Sequence, residues 1–227
     1  MLKLYIGNKN YSSWSMRPWV LLKQAGIPFE EVMVPFDTFE ADSAFKRQIL
    51  AVNPAGRVPV LVDDGLVVWD TLAIAEYVAE KFSDRQLWPK DRKDRARARS
   101  VCAEMHSGFS ALRSHCPMNI DASLAQAGAK VWREQAAVRD DVTRIVSMWT
   151  GLLEQHKGGM LLGEFTIADA YFAPVCMRLK NYALPVPGHI TDYVRRVGAL
   201  PGVKAWIEEA LAEKQFVEVD EPYRTSR

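Results

Sequence analysis

The sequence predicts two unlike domains: a mixed α/β domain of order βαβ-α-ββα over residues 1–82, and an all-helical domain over residues 95–227, joined by a linker at 83–94. Three observations carry this. Strand and helix patterns alternate only in the first third of the chain, an Asp-Gly turn there joins two short apolar runs, and beyond a polar, charge-dense stretch no strand pattern recurs.

Taken in order, Leu2–Ile6 reads as a strand, Arg17–Ala25 as a helix stopped by Gly26, and Phe29–Val34 as a second strand, which together make a βαβ opening. A polar helix follows around Ser43–Leu50. The runs Val58–Val62 and Leu66–Trp69 flank Asp63-Asp64-Gly65, whose Asp-Gly step is a strong hairpin signal. Asp70–Phe82 closes the domain as a helix. Past the linker, marked by Pro89 and its charges, helical patterns run over Arg95–His115, over a long and divisible stretch from Ala122 to His156, and over Thr166–Leu179, Ile190–Val197 and Val203–Glu213.

Composition narrows the function classes. Lys and Arg number 29 against 28 Asp and Glu, so the broad positive field that draws in nucleic acid or an anionic membrane surface is missing. No apolar run approaches the roughly 20 residues of a membrane span, and the N-terminus lacks a signal-peptide pattern, so a cytoplasmic protein is expected. The cysteines, Cys102, Cys116 and Cys176, lie far apart without a C-x-x-C, and the four histidines show no ligand spacing; reduced core thiols and no bound metal are the expectation. No glycine-rich phosphate loop is present.

Four stretches could carry chemistry. In Asn53-Pro54-Ala55-Gly56-Arg57-Val58-Pro59, two prolines bracket a glycine before a strand; this is either a plain turn into an edge strand or a cis Val58–Pro59 bond that turns the Val58 backbone outward, where an extended peptide could pair with it. Asp70 and Thr71 stand where a strand meets a helix, so they either cap that helix or offer its N-terminus to a carboxylate. Tyr11-Ser12-Ser13-Trp14-Ser15 places hydroxyls at another helix N-terminus; with no histidine near in sequence, a working serine there would hydrogen-bond an anion instead of attacking a substrate. Thr166 with Asp169 reads as a structural capping box.

In this order, N-P-x-G-x-V-P-x-L, W-D-T-L-A-I-A-E-Y, T-I-A-D and L-P-G-V-K-A-W, the chain resembles the cytosolic glutathione transferase superfamily along nearly its whole length. The resemblance implies a thioredoxin-like first domain, glutathione as co-substrate, a small hydrophobic electrophile as second substrate, and a two-fold homodimer. It implies Ser12 as the hydroxyl that stabilises the glutathione thiolate, Val58 as the backbone clamp on the cysteinyl part, Asp70 and Thr71 as partners of the γ-glutamyl amine and carboxylate, and Arg57 near the glycyl end. The loop is similar to that of the zeta class, whose members isomerise maleylacetoacetate, but Trp14 stands where that class has cysteine. Detoxifying conjugation is the expected reaction; isomerisation, or a non-catalytic binding module on the same fold, are the alternatives. The second substrate is expected against Tyr11, Trp14, Met105 and Phe109, although Met105, Phe109 and Leu112 recur at a spacing equally suited to core packing.

Overall fold

The computed structural model describes all residues, 1–227. Its first domain contains β1 (Lys3–Ile6), α1 (Ser13–Gln24), β2 (Glu30–Met33), α2 (Ala44–Leu50), β3 (Val60–Asp63), β4 (Leu66–Val68) and α3 (Thr71–Lys81). The strands form one sheet of order β2-β1-β3-β4, in which β1 runs parallel to β2 and antiparallel to β3, and β3 runs antiparallel to β4. A parallel neighbour requires a crossover, and α1 is that crossover. Asp64 and Gly65 turn the β3–β4 hairpin with φ of 49° and 89°, the doubly positive geometry that a two-residue turn favours. Pro59 lies just outside β3, where it removes no ladder hydrogen bond, and the Val58–Pro59 bond is cis.

The second domain is helical throughout: α4 (Arg92–Ser107), α5 (Ser110–His115), α6 (Ala125–Glu134), α7 (Ala136–Gln155), α8 (Ile167–Asn181), α9 (Gly188–Gly198) and α10 (Pro201–Glu213). The helix expected over Arg95–His115 starts earlier, because Asp91 caps it by accepting from the Lys93 and Asp94 N–H groups at 2.8 and 3.0 Å. It also breaks at Gly108, and Phe109 beyond it has φ of 54°, so α5 leaves at a new angle. The long Ala122–His156 stretch divides at Gln135, where the Arg139 guanidinium takes up the last carbonyls of α6, those of Trp132 and Arg133.

One apolar core of 51 buried residues runs through both domains. Its centre is α8, buried from Ile167 to Leu179, with α1 of the first domain packed against it and against α10. Thr166 and Asp169 form the capping box that starts α8; the fully buried Asp169 carboxylate also accepts from Leu161 N at 3.1 Å and Tyr193 Oη at 2.9 Å. After α10 the chain folds back over the start of α1. Glu221 holds it there, accepting from Tyr11 Oη at 2.7 Å and Asn119 Nδ2 at 2.9 Å and pairing with Arg224.

Candidate active site

The site is built where α1 begins. Ser12 caps that helix, and its hydroxyl bonds the Ser15 hydroxyl at 2.7 Å, which in turn accepts from Gly7 N at 3.1 Å. Ser13 opens the helix and accepts from Arg178 Nη2 at 3.2 Å. Both serines line a cavity of about 410 Å³ with Tyr11, Trp14, Arg57 and Val58 on its walls. A second cavity of about 530 Å³ adjoins it, sharing Trp14, Arg57, Val58 and Arg113, and reaches Pro59, Asp70 and His106. The two make one cleft between the domains.

On the first-domain wall, Lys46 Nζ donates to Gly56 O at 2.9 Å and Asn53 Nδ2 to Arg57 O at 3.0 Å, which fixes the loop before Pro59. The Val58 N–H and C=O have no backbone partner, leaving a strand's worth of pairing open to the cleft. Asp70 caps α3 through Thr71 N, and its other oxygen lies 3.5 Å from His106 Nε2. Thr71 departs from expectation: its hydroxyl is fully buried, 2.6 Å from Tyr171 Oη, and does not face the cleft.

Met105 and Phe109 also depart from expectation, and for a simple reason. Met105 shares the α4 face of Ala98, Val101 and Cys102 that packs on α8, and the break at Gly108 turns Phe109 inward, so both join the core with Leu112 and line neither cavity. Four cations, Lys46, Arg57, Arg113 and Arg178, do line the cleft, and Arg17 lies behind Trp14 without reaching either cavity. Arg178 is buried, donating through Nε to Cys116 O at 2.9 Å; burial lowers its guanidinium to about 10. Arg17, also buried, donates to Tyr171 O at 3.0 Å and Ser13 O at 3.2 Å, and burial lowers it to about 9. Both therefore stay charged at neutral pH. Arg17 Nη2 and Arg113 Nε have no partner. Trp14 lies between them, its ring 4.2 Å from the Arg17 guanidinium and 5.4 Å from that of Arg113. Opposing them is Asp220 from the C-terminal segment, raised from 3.8 to about 6 by burial and by neighbouring Glu221.

Nothing in the first-domain motifs pointed to Arg113, Arg178, His106 or Asp220. A signal existed for Arg178 alone: it interrupts Ala170-Tyr171-Phe172-Ala173-Pro174-Val175-Cys176-Met177, a run apolar on every side, where an arginine must be buried and must find partners. The protein's own thiols are removed from the chemistry. All three cysteines are buried and unpaired, outside the cleft, and burial pushes the Cys116 thiol up to about 12 and raises the other two well above the ordinary thiol value. No group of three or more metal-ligating side chains converges anywhere, and no helix is long and apolar enough to cross a membrane. A separate groove of about 580 Å³ between α8, α9 and α10 is lined mostly by aliphatic side chains and holds none of the residues singled out above.

Residues 11–81 match the model of the glutathione S-transferase N-terminal domain, and residues 95–209 match that of the C-terminal domain. The chain belongs to the glutathione S-transferase family. A probable maleylacetoacetate isomerase of Caenorhabditis elegans is 30% identical over 83% of both chains, and a maleylacetoacetate isomerase of Pseudomonas aeruginosa is 31% identical over 88% of this chain and 90% of its own. Among solved structures, a glutathione transferase homolog from Burkholderia with bound glutathione superposes with a TM-score of 0.70 at 27% identity, covering 92% of this chain and 97% of that one.

Proposed function

We propose that this glutathione transferase ionises the thiol of glutathione at Ser12 and presents the thiolate to a small electrophile that carries a carboxylate. The observation that carries the second half is the pair Arg113 and Arg178 on the cavity wall beside the serines, one with an unpartnered N–H and both facing a cavity with a single carboxylate, Asp220. A purely hydrophobic substrate would leave the buried Arg113 Nε donor unsatisfied, at a cost of about 1–3 kcal/mol.

Glutathione is assigned to the first-domain wall: its cysteinyl backbone pairs with Val58, its γ-glutamyl amine meets Asp70, and its glycyl end lies toward Arg57. Thr71 contributes to the γ-glutamyl site through the helix N-terminus it opens, its hydroxyl being engaged elsewhere. An unperturbed thiol ionises near 8.5, so a hydrogen bond from Ser12 and the positive end of α1 need lower it by about one to two units to populate the thiolate at neutral pH. The Ser12 hydroxyl, which bonds Ser15 Oγ, turns its proton to the glutathione sulfur when glutathione binds.

Two outcomes follow from the same first step, in which the sulfur attacks carbon and a C–S bond forms. In conjugation the carbon's leaving group departs with the bonding pair and the thioether is the product. In isomerisation the attacked carbon belongs to a cis double bond conjugated to a carbonyl; the resulting enolate rotates about the former double bond, the C–S bond breaks, and the thiolate returns. The second reading is favoured by the arginines, which suit a diacid such as maleylacetoacetate, and by the names of the two relatives. The acting unit is taken as a two-fold homodimer, α3 of one subunit near α4 of the other, supported by the exposure of Leu66 on β4 beside α3.

The test is a pair of substrates matched in reactivity. Arg113→Met should lower kcat/KM for a carboxylate-bearing maleyl substrate by roughly tenfold or more, and leave turnover of an uncharged aryl halide unchanged. Equal losses on both would reject the anionic assignment. Retention on immobilised glutathione with no turnover of either would favour a binding module.

A further inference from the structure

We propose that His106, which the second domain contributes through α4, is a positioning residue of the glutathione site: its imidazole orients the Asp70 carboxylate for the γ-glutamyl amine. The proposal rests on the assignment of Asp70 to that amine.

One Asp70 oxygen is committed to capping α3 through Thr71 N. The other, on a carboxylate 53% exposed to the cleft, lies 3.5 Å from His106 Nε2, within ion-pair range. The far side of the ring is equally defined: Nδ1 is 3.1 Å from Tyr171 Oη, which is 2.6 Å from Thr71 Oγ1. Burial drives the Tyr171 phenol far above its ordinary value, so it keeps its proton and has one to donate. Given to Nδ1, that proton fixes the neutral ring as the tautomer whose Nε2–H faces Asp70. The Trp14 ring, edge-on at 5.3 Å, and Tyr171, stacked at 6.5 Å, hold the imidazole plane. The result is a continuous chain, Thr71–Tyr171–His106–Asp70, that runs from the start of α3 through α8 and α4 and returns to the start of α3.

With one Asp70 oxygen held by the start of α3 and the other faced by Nε2–H of a ring fixed on its far side, the carboxylate keeps one orientation, and its exposed edge is presented to the ligand's ammonium.

S-methylglutathione isolates the effect, since it keeps the amine and carboxylates and has no thiol to titrate. Its affinity, followed by calorimetry at one pH, should fall roughly fivefold in His106→Ala and return nearly to the wild-type value in His106→Gln, which retains an N–H donor. The analogue without the α-amino group should bind the wild type and His106→Ala alike. An unchanged affinity in His106→Ala, or a His106→Gln as weak as His106→Ala, would overturn the role of His106. S-methylglutathione that binds Asp70→Ala as tightly as the wild type overturns the Asp70 assignment itself, and the proposal with it.

Discussion

At the scale of single residues, the cleft works by placing charge where solvent is scarce. Asp220 is the clearest case, because burial beside Glu221 lifts its carboxyl from 3.8 to about 6. Between those values the folded protein binds more protons than the unfolded chain, so this group's share of stability is greatest at acid pH and declines as pH rises through about 6. Asp220→Asn should therefore raise the melting temperature at neutral pH, by the equivalent of about 1–3 kcal/mol, and change it little at pH 4. Thermal melts at both values decide it; a destabilised variant at neutral pH would mean that Asp220 is held by a partner and is not a stored cost. Glu221, next in sequence, shows the contrary balance. Burial alone would raise it, but hydrogen bonds from Arg224 and Tyr11 outweigh burial and hold it below its ordinary value, which is why it anchors the segment while Asp220 stays free to face the cleft.

At the scale of elements, the position of α5 depends on a contact made far along the chain. The Asp141 carboxylate of α7 accepts from Leu112 N at 2.9 Å, satisfying a first-turn donor of α5, which has no cap of its own. Asp141→Ala should cost about 1 kcal/mol in chemical denaturation, as loss of a helix cap does, and because Arg113 rides on α5, it should weaken use of an anionic substrate as well. Unchanged stability would show that α5 is held by packing alone. This contact also explains where reading the sequence stopped. The βαβ-α-ββα order was legible because each element carries its own signals: the Asp64-Gly65 turn, Gly26 after α1, and the Thr166 and Asp169 cap. The break between α4 and α5 was not, since Met105, Phe109 and Leu112 keep helical spacing across it and the group that stabilises the new helix lies on α7. The same limit applies to the cleft. Ser12, Val58 and Asp70 stand in local motifs, whereas Arg113, His106, Arg178 and Asp220 meet them only through packing of helices distant in sequence.

At the scale of the whole molecule, the two domains share one core and one cleft, and α1 belongs to both. Arg17 reaches Tyr171 from α1, Arg178 reaches Ser13 from α8, and Trp206 Nε1 donates to Lys9 O at 3.0 Å from α10. Beyond the single chain, sedimentation at micromolar concentration should report a dimer; only a species near 25.6 kDa would remove the two-fold assembly. The central claim is that the assembled cleft ionises the glutathione thiol through Ser12, and ultraviolet titration of bound thiolate against pH addresses it most directly. The wild type should show thiolate well below pH 8; Ser12→Ala should raise the bound thiol by about one to two units, as loss of a hydrogen bond to an anion implies, while Ser13→Ala shifts it little. No thiolate below pH 8 in the wild type, or a large shift in Ser13→Ala and none in Ser12→Ala, would contradict the account.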